Sequence, residues 1–174
     1  MRFRPSAATL KLKPDWTGPR PPAATPIFVG KCGVDLNPVN PKTDSLRLRA
    51  YLWPDQPERL ALTDAALALP PARVDKADAI DWLKTRLPHV AGQTHMIYTT
   101  IAWHYFPTEK QRKGLAMIET AGSNATSDTP LAFVQMENDG AGNGAALTLR
   151  LWTAGVNLTL GRIDFHGRWV NWTA

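Results

Sequence analysis

The period of apolar positions changes several times along this chain, and each change marks an element. Residues 27–34 form a short apolar run with β-branched and aromatic members that ends at Asp35, the pattern of a strand buried on both faces. Residues 44–52 are helical in composition, with Asp44 or Ser45 placed to cap and Leu46, Leu48 and Leu52 as apolar members. Trp53-Pro54 interrupts this helix, and a second one starts at Gln56 or Pro57 and runs to Leu69, where Pro70-Pro71 stops it. Residues 73–75 read as a brief strand and 77–87 as a helix that buries Ile80, Leu83 and Leu87. Residues 94–103, apolar and β-branched almost throughout, predict a central strand. Thr108 can cap the helix that follows, up to about Ala121, with Leu115, Ala116 and Ile118 inward, and Pro130 introduces a strand over 131–137. Residues 145–152 and 157–165 alternate apolar and polar positions around Thr153-Ala154-Gly155, which predicts an antiparallel hairpin.

Strands separated by helices imply parallel pairing and right-handed crossovers, so the expected fold is a layered α/β sheet, mostly parallel and ending in an antiparallel β-hairpin. The order reads as the later strands of a nucleotide-binding type of sheet, lacking the first strand and its glycine-rich loop. Gly140-Ala141-Gly142-Asn143-Gly144 has the glycine spacing of a phosphate loop, but such a loop must open a helix. Residues 145–150 alternate like a strand instead, so the glycine segment is read as a hairpin connection.

Composition bounds the rest. With 174 residues, 44% of them apolar, there is material for one domain, expected over residues 27–174. The net charge of +5 lies in the first 34 residues, where six basic side chains face Asp15 alone. The remaining 140 residues balance at fourteen basic and fourteen acidic. Six prolines share that leading segment, so residues 1–26 are expected to be an extended basic arm. Only Phe3 and Trp16 stand among its charges, too few for a stacking platform, which disfavours nucleic acid as a partner. No apolar run spans a bilayer and no secretory leader is visible, so the expectation is a cytoplasmic chain without membrane contact. Cys32 is the one cysteine, read as a buried small hydrophobe in a strand. The four histidines lack the pairing of a zinc site, so no metal is expected.

Ligands of parallel sheets sit beyond the carboxyl ends of the strands, which directs attention to Asp35, the 75–78 stretch, the 100–105 stretch and the group 137–139. Asp35 and Asp78 are candidate contacts for ribose hydroxyls and an adenine amino group, with the Ala79 amide beside them; the plainer reading makes both aspartates turn and cap residues. Thr100, Trp103, His104 and Tyr105 follow the 94–103 strand and combine a hydroxyl, an imidazole and aromatic faces. His104 is the candidate general base, and Thr100, Trp103 and Tyr105 are candidate substrate contacts. Trp53, where a helix breaks, offers a further stacking face. Asp164 and His166, two positions apart, fit an acid–imidazole pair on one strand face, but the preferred reading of this ending is packing with Trp169 and Trp172.

Four blocks occur here in order: Gly33-Val34-Asp35-Leu36-Asn37-Pro38-Val39, Tyr51-Leu52-Trp53-Pro54-Asp55-Gln56-Pro57-Glu58-Arg59-Leu60, Ala77-Asp78-Ala79-Ile80-Asp81-Trp82-Leu83 and Asp164-Phe165-His166-Gly167-Arg168-Trp169-Val170. Together they resemble the bacterial family known as domain of unknown function 2332, over about residues 10–172. The resemblance implies a Rossmann-like three-layer sandwich of the class I methyltransferase type, with this chain similar to the C-terminal half of longer members. Members often carry His-Ser where this chain has Thr99-Thr100. The implied function is a methyltransferase-like fragment that binds S-adenosylmethionine or a related nucleoside only when an N-terminal half completes it. A non-catalytic protein-interaction module on the same scaffold is the alternative. Either way, homo-oligomerisation or a partner completing the sheet is expected; the alternatives are a makeshift strand from the Thr9 to Lys13 alternation or a sheet closed up in altered order.

Overall fold

The computed structural model describes residues 10–174 of the chain. In order, its elements are β1 (Asp15–Thr17), β2 (Gly33–Asp35), α1 (Ser45–Ala50), α2 (Pro57–Leu67), β3 (Val74–Lys76), α3 (Ala79–Leu83), β4 (His95–Thr100), a 3₁₀ turn (Trp103–Tyr105), α4 (Thr108–Ser123), β5 (Leu131–Glu137), β6 (Ala145–Trp152), β7 (Val156–Ile163) and β8 (Trp169–Trp172). The chain divides into two compact units. One holds residues 10–12 with Ala23–Trp82, and the other holds Lys13–Pro22 with Leu83–Ala174.

In the first unit β2 and β3 form a parallel pair with Val34 opposite Asp75, joined through α1 and α2. Pro57 occupies the first turn of α2, where its missing N–H costs nothing. Arg49 of α1 pairs with Asp64 of α2 at 2.8 Å. Asp75 organises the strand pair, accepting from Arg73 Nε and Trp82 Nε1, each at 2.8 Å, and contacting the Cys32 thiol. The strand expected over 27–34 is confined to Gly33–Asp35, because Ile27, Phe28 and Val29 are 67%, 49% and 55% exposed and bury no face.

In the second unit six strands form one sheet in the order β1-β8-β7-β6-β5-β4. The sheet is mixed, which corrects the mostly parallel expectation: β1–β8 and β4–β5 are parallel, while β5–β6, β6–β7 and β7–β8 are antiparallel. The reason is connection length. The links after β5, β6 and β7 are too short for the crossover of a dozen or more residues that parallel pairing needs. The 145–152 and 156–163 strands do form the expected hairpin. Strand β4, expected at the centre, is an edge strand of this sheet with alternating burial, Met96 and Tyr98 standing exposed. A continuous apolar run does not distinguish burial on two faces from burial on one.

Two elements have no counterpart in the sequence pattern. Strand β8 is short and comes after a tight turn, and β1 lies within the expected arm and pairs with it in parallel. Residues 1–9 are outside the described residues, and with them Arg2, Arg4 and the start of the Thr9–Lys13 alternation; residues 10–13 form no strand. The core of this unit is Leu83, Ile118, Leu131 and Phe133, flanked by Ile97, Trp103, Leu115 and Trp152. Helix α4 faces it with Gly114, Ile118 and Gly122, whereas Ala116, expected inward, is exposed. Among the described residues no helix is long and apolar enough to cross a membrane.

Candidate functional site

The parallel strands β4 and β5 end side by side, Thr100 opposite Met136, and the chain beyond them builds a polar constellation. The Ile101 amide still donates to the Met136 carbonyl at 2.8 Å. Ile101 then takes φ +48°, a left-handed conformation that a β-branched residue strongly disfavours. This reversal folds Trp103–Tyr105 into a 3₁₀ turn over the last residue of β5, Glu137.

Glu137 gathers that turn. Its carboxylate accepts the Ala102 amide at 3.1 and 3.2 Å, the Trp103 amide at 3.0 Å and His104 Nδ1 at 2.8 Å. The two side chains are 13% and 27% exposed for Glu137 and His104, so the pair is sheltered without being sealed. Burial raises the Glu137 pKa, but the hydrogen bonds from His104 and from the Trp103 and Ala102 amides outweigh it and hold the carboxyl below its usual value. An ionised Glu137 can only accept, so Nδ1 carries the proton in this bond and Nε2 keeps a lone pair when the ring is neutral. Tyr105, 74% exposed, lies on His104 with ring centroids 4.0 Å apart.

The other sequence candidates divide between the two units. Thr100 ends β4 with an exposed side chain. Trp103 turns inward and packs on Phe106 and Phe133, each at 5.6 Å, so its rings serve the core. Asp35, Asp78, Ala79 and Trp53 all belong to the first unit, and His104 to the second. Asp35 Oδ1 accepts the Asn37 amide at 2.6 Å, and Asp78 Oδ1 accepts those of Ile80 and Asp81 at 3.0 and 3.1 Å, so both carboxylates hold local turns. Ala79 is the first residue of α3. Trp53 is 70% exposed between α1 and α2.

Asp164 and His166 do not form an acid–imidazole pair. Asp164, 5% exposed, accepts the backbone amides of His166 and Arg168 and the Arg168 guanidinium, clamping the turn between β7 and β8. The Arg168 guanidinium, outweighing burial, and the two amides hold its pKa at about 2. Asp139, just beyond β5, forms a two-pronged pair with Arg162 at 2.9 and 3.0 Å. Glu137 was visible in the sequence only as one end of the group 137–139. Its partner lies 33 positions away, and the sole signal was that both come after neighbouring strands.

No curated protein matches the chain, and no solved structure does. A family profile does match, over residues 3–172, nearly the whole length. The chain belongs to that family, described as uncharacterized protein conserved in bacteria (DUF2332).

Proposed function

We propose that the carboxyl ends of β4 and β5 form a ligand-binding and proton-transfer site in which His104 is the base and Glu137 its positioning partner. The carrying observation is the turn itself: a β-branched residue held left-handed so that two amides and an imidazole converge on one carboxylate. Such strain costs on the order of 1–3 kcal/mol and persists where surrounding structure compensates for it, most often at working sites. Glu137 fixes ring orientation and tautomer, which directs the Nε2 lone pair away from the carboxylate toward a ligand proton. Tyr105 and Thr100 are the exposed neighbours that a substrate would meet.

The chemistry assigned to this scaffold is methyltransferase-like, with S-adenosylmethionine or a related nucleoside as cofactor. Support comes from the sequence blocks around Asp35, Asp78 and Asp164 and from the position of the His104 turn beyond two parallel strands. The residues present do not by themselves fit that cofactor. The Asp35 and Asp78 carboxylates are engaged in local turns, and the glycine-rich 140–144 segment joins two antiparallel strands instead of opening a helix. On this reading the cofactor is held only when a further polypeptide completes the chain.

Long-range proton–nitrogen correlation spectra of the histidine rings test the proposal. His104 is expected as the Nδ1–H tautomer in the intact chain and as a mixture in Glu137→Gln. S-adenosylmethionine, S-adenosylhomocysteine and adenosine are then titrated, with calorimetry alongside, and the chain alone is expected to hold them weakly or not at all. An Nε2–H tautomer, or binding of any of the three that leaves the His104 Nε2 resonance unmoved, overturns the assignment.

A further inference from the structure

Strand β4 is paired on one side only. The His95 and Ile101 amides donate to the carbonyls of Pro130 and Met136 at 2.9 and 2.8 Å. In a parallel ladder alternate residues face the partner, so the N–H and C=O groups of Met96, Tyr98 and Thr100 point to the opposite edge. Among the described residues no strand pairs there. The strand contains no lysine, no proline and no bulge, the devices that blunt an edge against pairing.

The same residues begin a bare apolar face. The registers set Tyr98, Val134, Leu149 and Leu158 in one row across β4, β5, β6 and β7; the row on one side, Met96, Ala132, Leu151 and Val156, is apolar, and the row on the other joins Met136 and Leu147 to Thr100. Tyr98 and Leu158 are 64% and 44% exposed, while Val134 and Leu149, on interior strands, are only half-buried. On the opposite face the same strands bury Leu131 and Phe133 beside Ile118 of α4. Four strands about 4.8 Å apart and about 20 Å long give the bare face a footprint on the order of 400 Å². That is the size at which an exposed apolar patch marks a binding site, and the strand edge brings it toward the ~600 Å² per side of the smaller specific interfaces.

Handedness links the two features. Strand–helix–strand connections between parallel strands are right-handed, and the step from β4 through α4 to β5 lays α4 on the covered face. A right-handed step that starts from a strand added beyond β4 and continues outward puts its helix on the same side of the sheet as the bare face, next to Tyr98. One kind of unit therefore fills both. Two β4 edges related by a two-fold axis would pair antiparallel and leave the face uncovered, which disfavours a second copy as occupant.

We propose that the β4 edge and the adjoining face bind a partner polypeptide that adds a β-strand parallel to β4 and lays the following amphipathic helix on Tyr98, Val134, Leu149 and Leu158. This stands independently of the His104 assignment.

The test is hydrogen exchange on the full chain, alone and with a synthetic strand–loop–helix peptide of about thirty residues, its helix carrying leucines at i, i+3, i+4 and i+7. The peptide is expected to slow exchange at the Met96, Tyr98 and Thr100 amides at least tenfold and to displace anilinonaphthalene sulfonate from the chain. A spin label at the amino end of the peptide strand should broaden His95 more than Thr100, as parallel pairing requires. Tyr98→Pro, which removes an outward N–H while sparing the bonds to β5, should abolish edge protection; Leu149→Glu should abolish dye and helix binding. Three results overturn the proposal: those amides already protected in the dilute chain, protection that grows with chain concentration and sedimentation as a dimer, or no slowing with the peptide.

Discussion

Replacing Glu137 by alanine removes the acceptor on which the Ala102 amide, the Trp103 amide and His104 Nδ1 converge. A sheltered donor left without a partner costs roughly 1–3 kcal/mol. His104 is partly open to water and can recover some of its loss, so the three donors together should cost about 3 kcal/mol. With a urea dependence near 2 kcal/mol per molar, the unfolding midpoint should fall by about 1.5 M. Glu137→Gln keeps one carbonyl oxygen but loses the charge, and should cost about half as much. The assay is urea unfolding followed at resolved amide resonances of the second unit, so that unfolding of the first unit is not mixed in. Glu109→Ala is the control, because the Glu109–Arg112 pair lies open to solvent on α4, where ion pairs contribute little. The reasoning fails if the Glu137→Ala midpoint moves no further than the control and the His104 ring resonances stay where they were.

Other perturbations read other parts of the structure. Asp164, held at about 2 against a usual value near 3.8, contributes stability that is present above about pH 4 and lost as pH falls toward 2. That shift corresponds to about 2 kcal/mol, so Asp164→Asn should flatten the pH dependence of urea unfolding in this window, and an unchanged slope would count against the clamp. Gly122→Ala would place a Cβ 2.3 Å from the Trp152 ring, so the thermal midpoint should drop with a loss of about 2 kcal/mol despite alanine's better helix propensity. Ile101→Gly should stay within about 1 kcal/mol of the parent in urea, because relief of the left-handed backbone offsets the lost side chain. A much larger loss there would show that packing of the isoleucine, and not the turn, is what the position serves.

Local pattern determined the elements whose neighbours are near in sequence. The 145–152 and 156–163 hairpin, the 131–137 strand and the helix opening at Thr108 are dictated by period, turn residues and prolines, all of which act over a few positions. Where the chain turns to meet distant segments, sequence was silent. Residues 94–103 look the same whether a strand is flanked on one side or two, so placing β4 at an edge required the pairing itself. Strand β1 is invisible in a proline-rich segment because its pairing with β8 joins positions some 150 residues apart. The same holds for the candidate site: His104 stood out as an imidazole after a strand, but only the parallel register of β4 and β5 brings Glu137 under it and bends Ile101 out of its preferred backbone region. Period is a property of neighbours along the chain, whereas register, edges and converging hydrogen bonds are set by which segments meet in space.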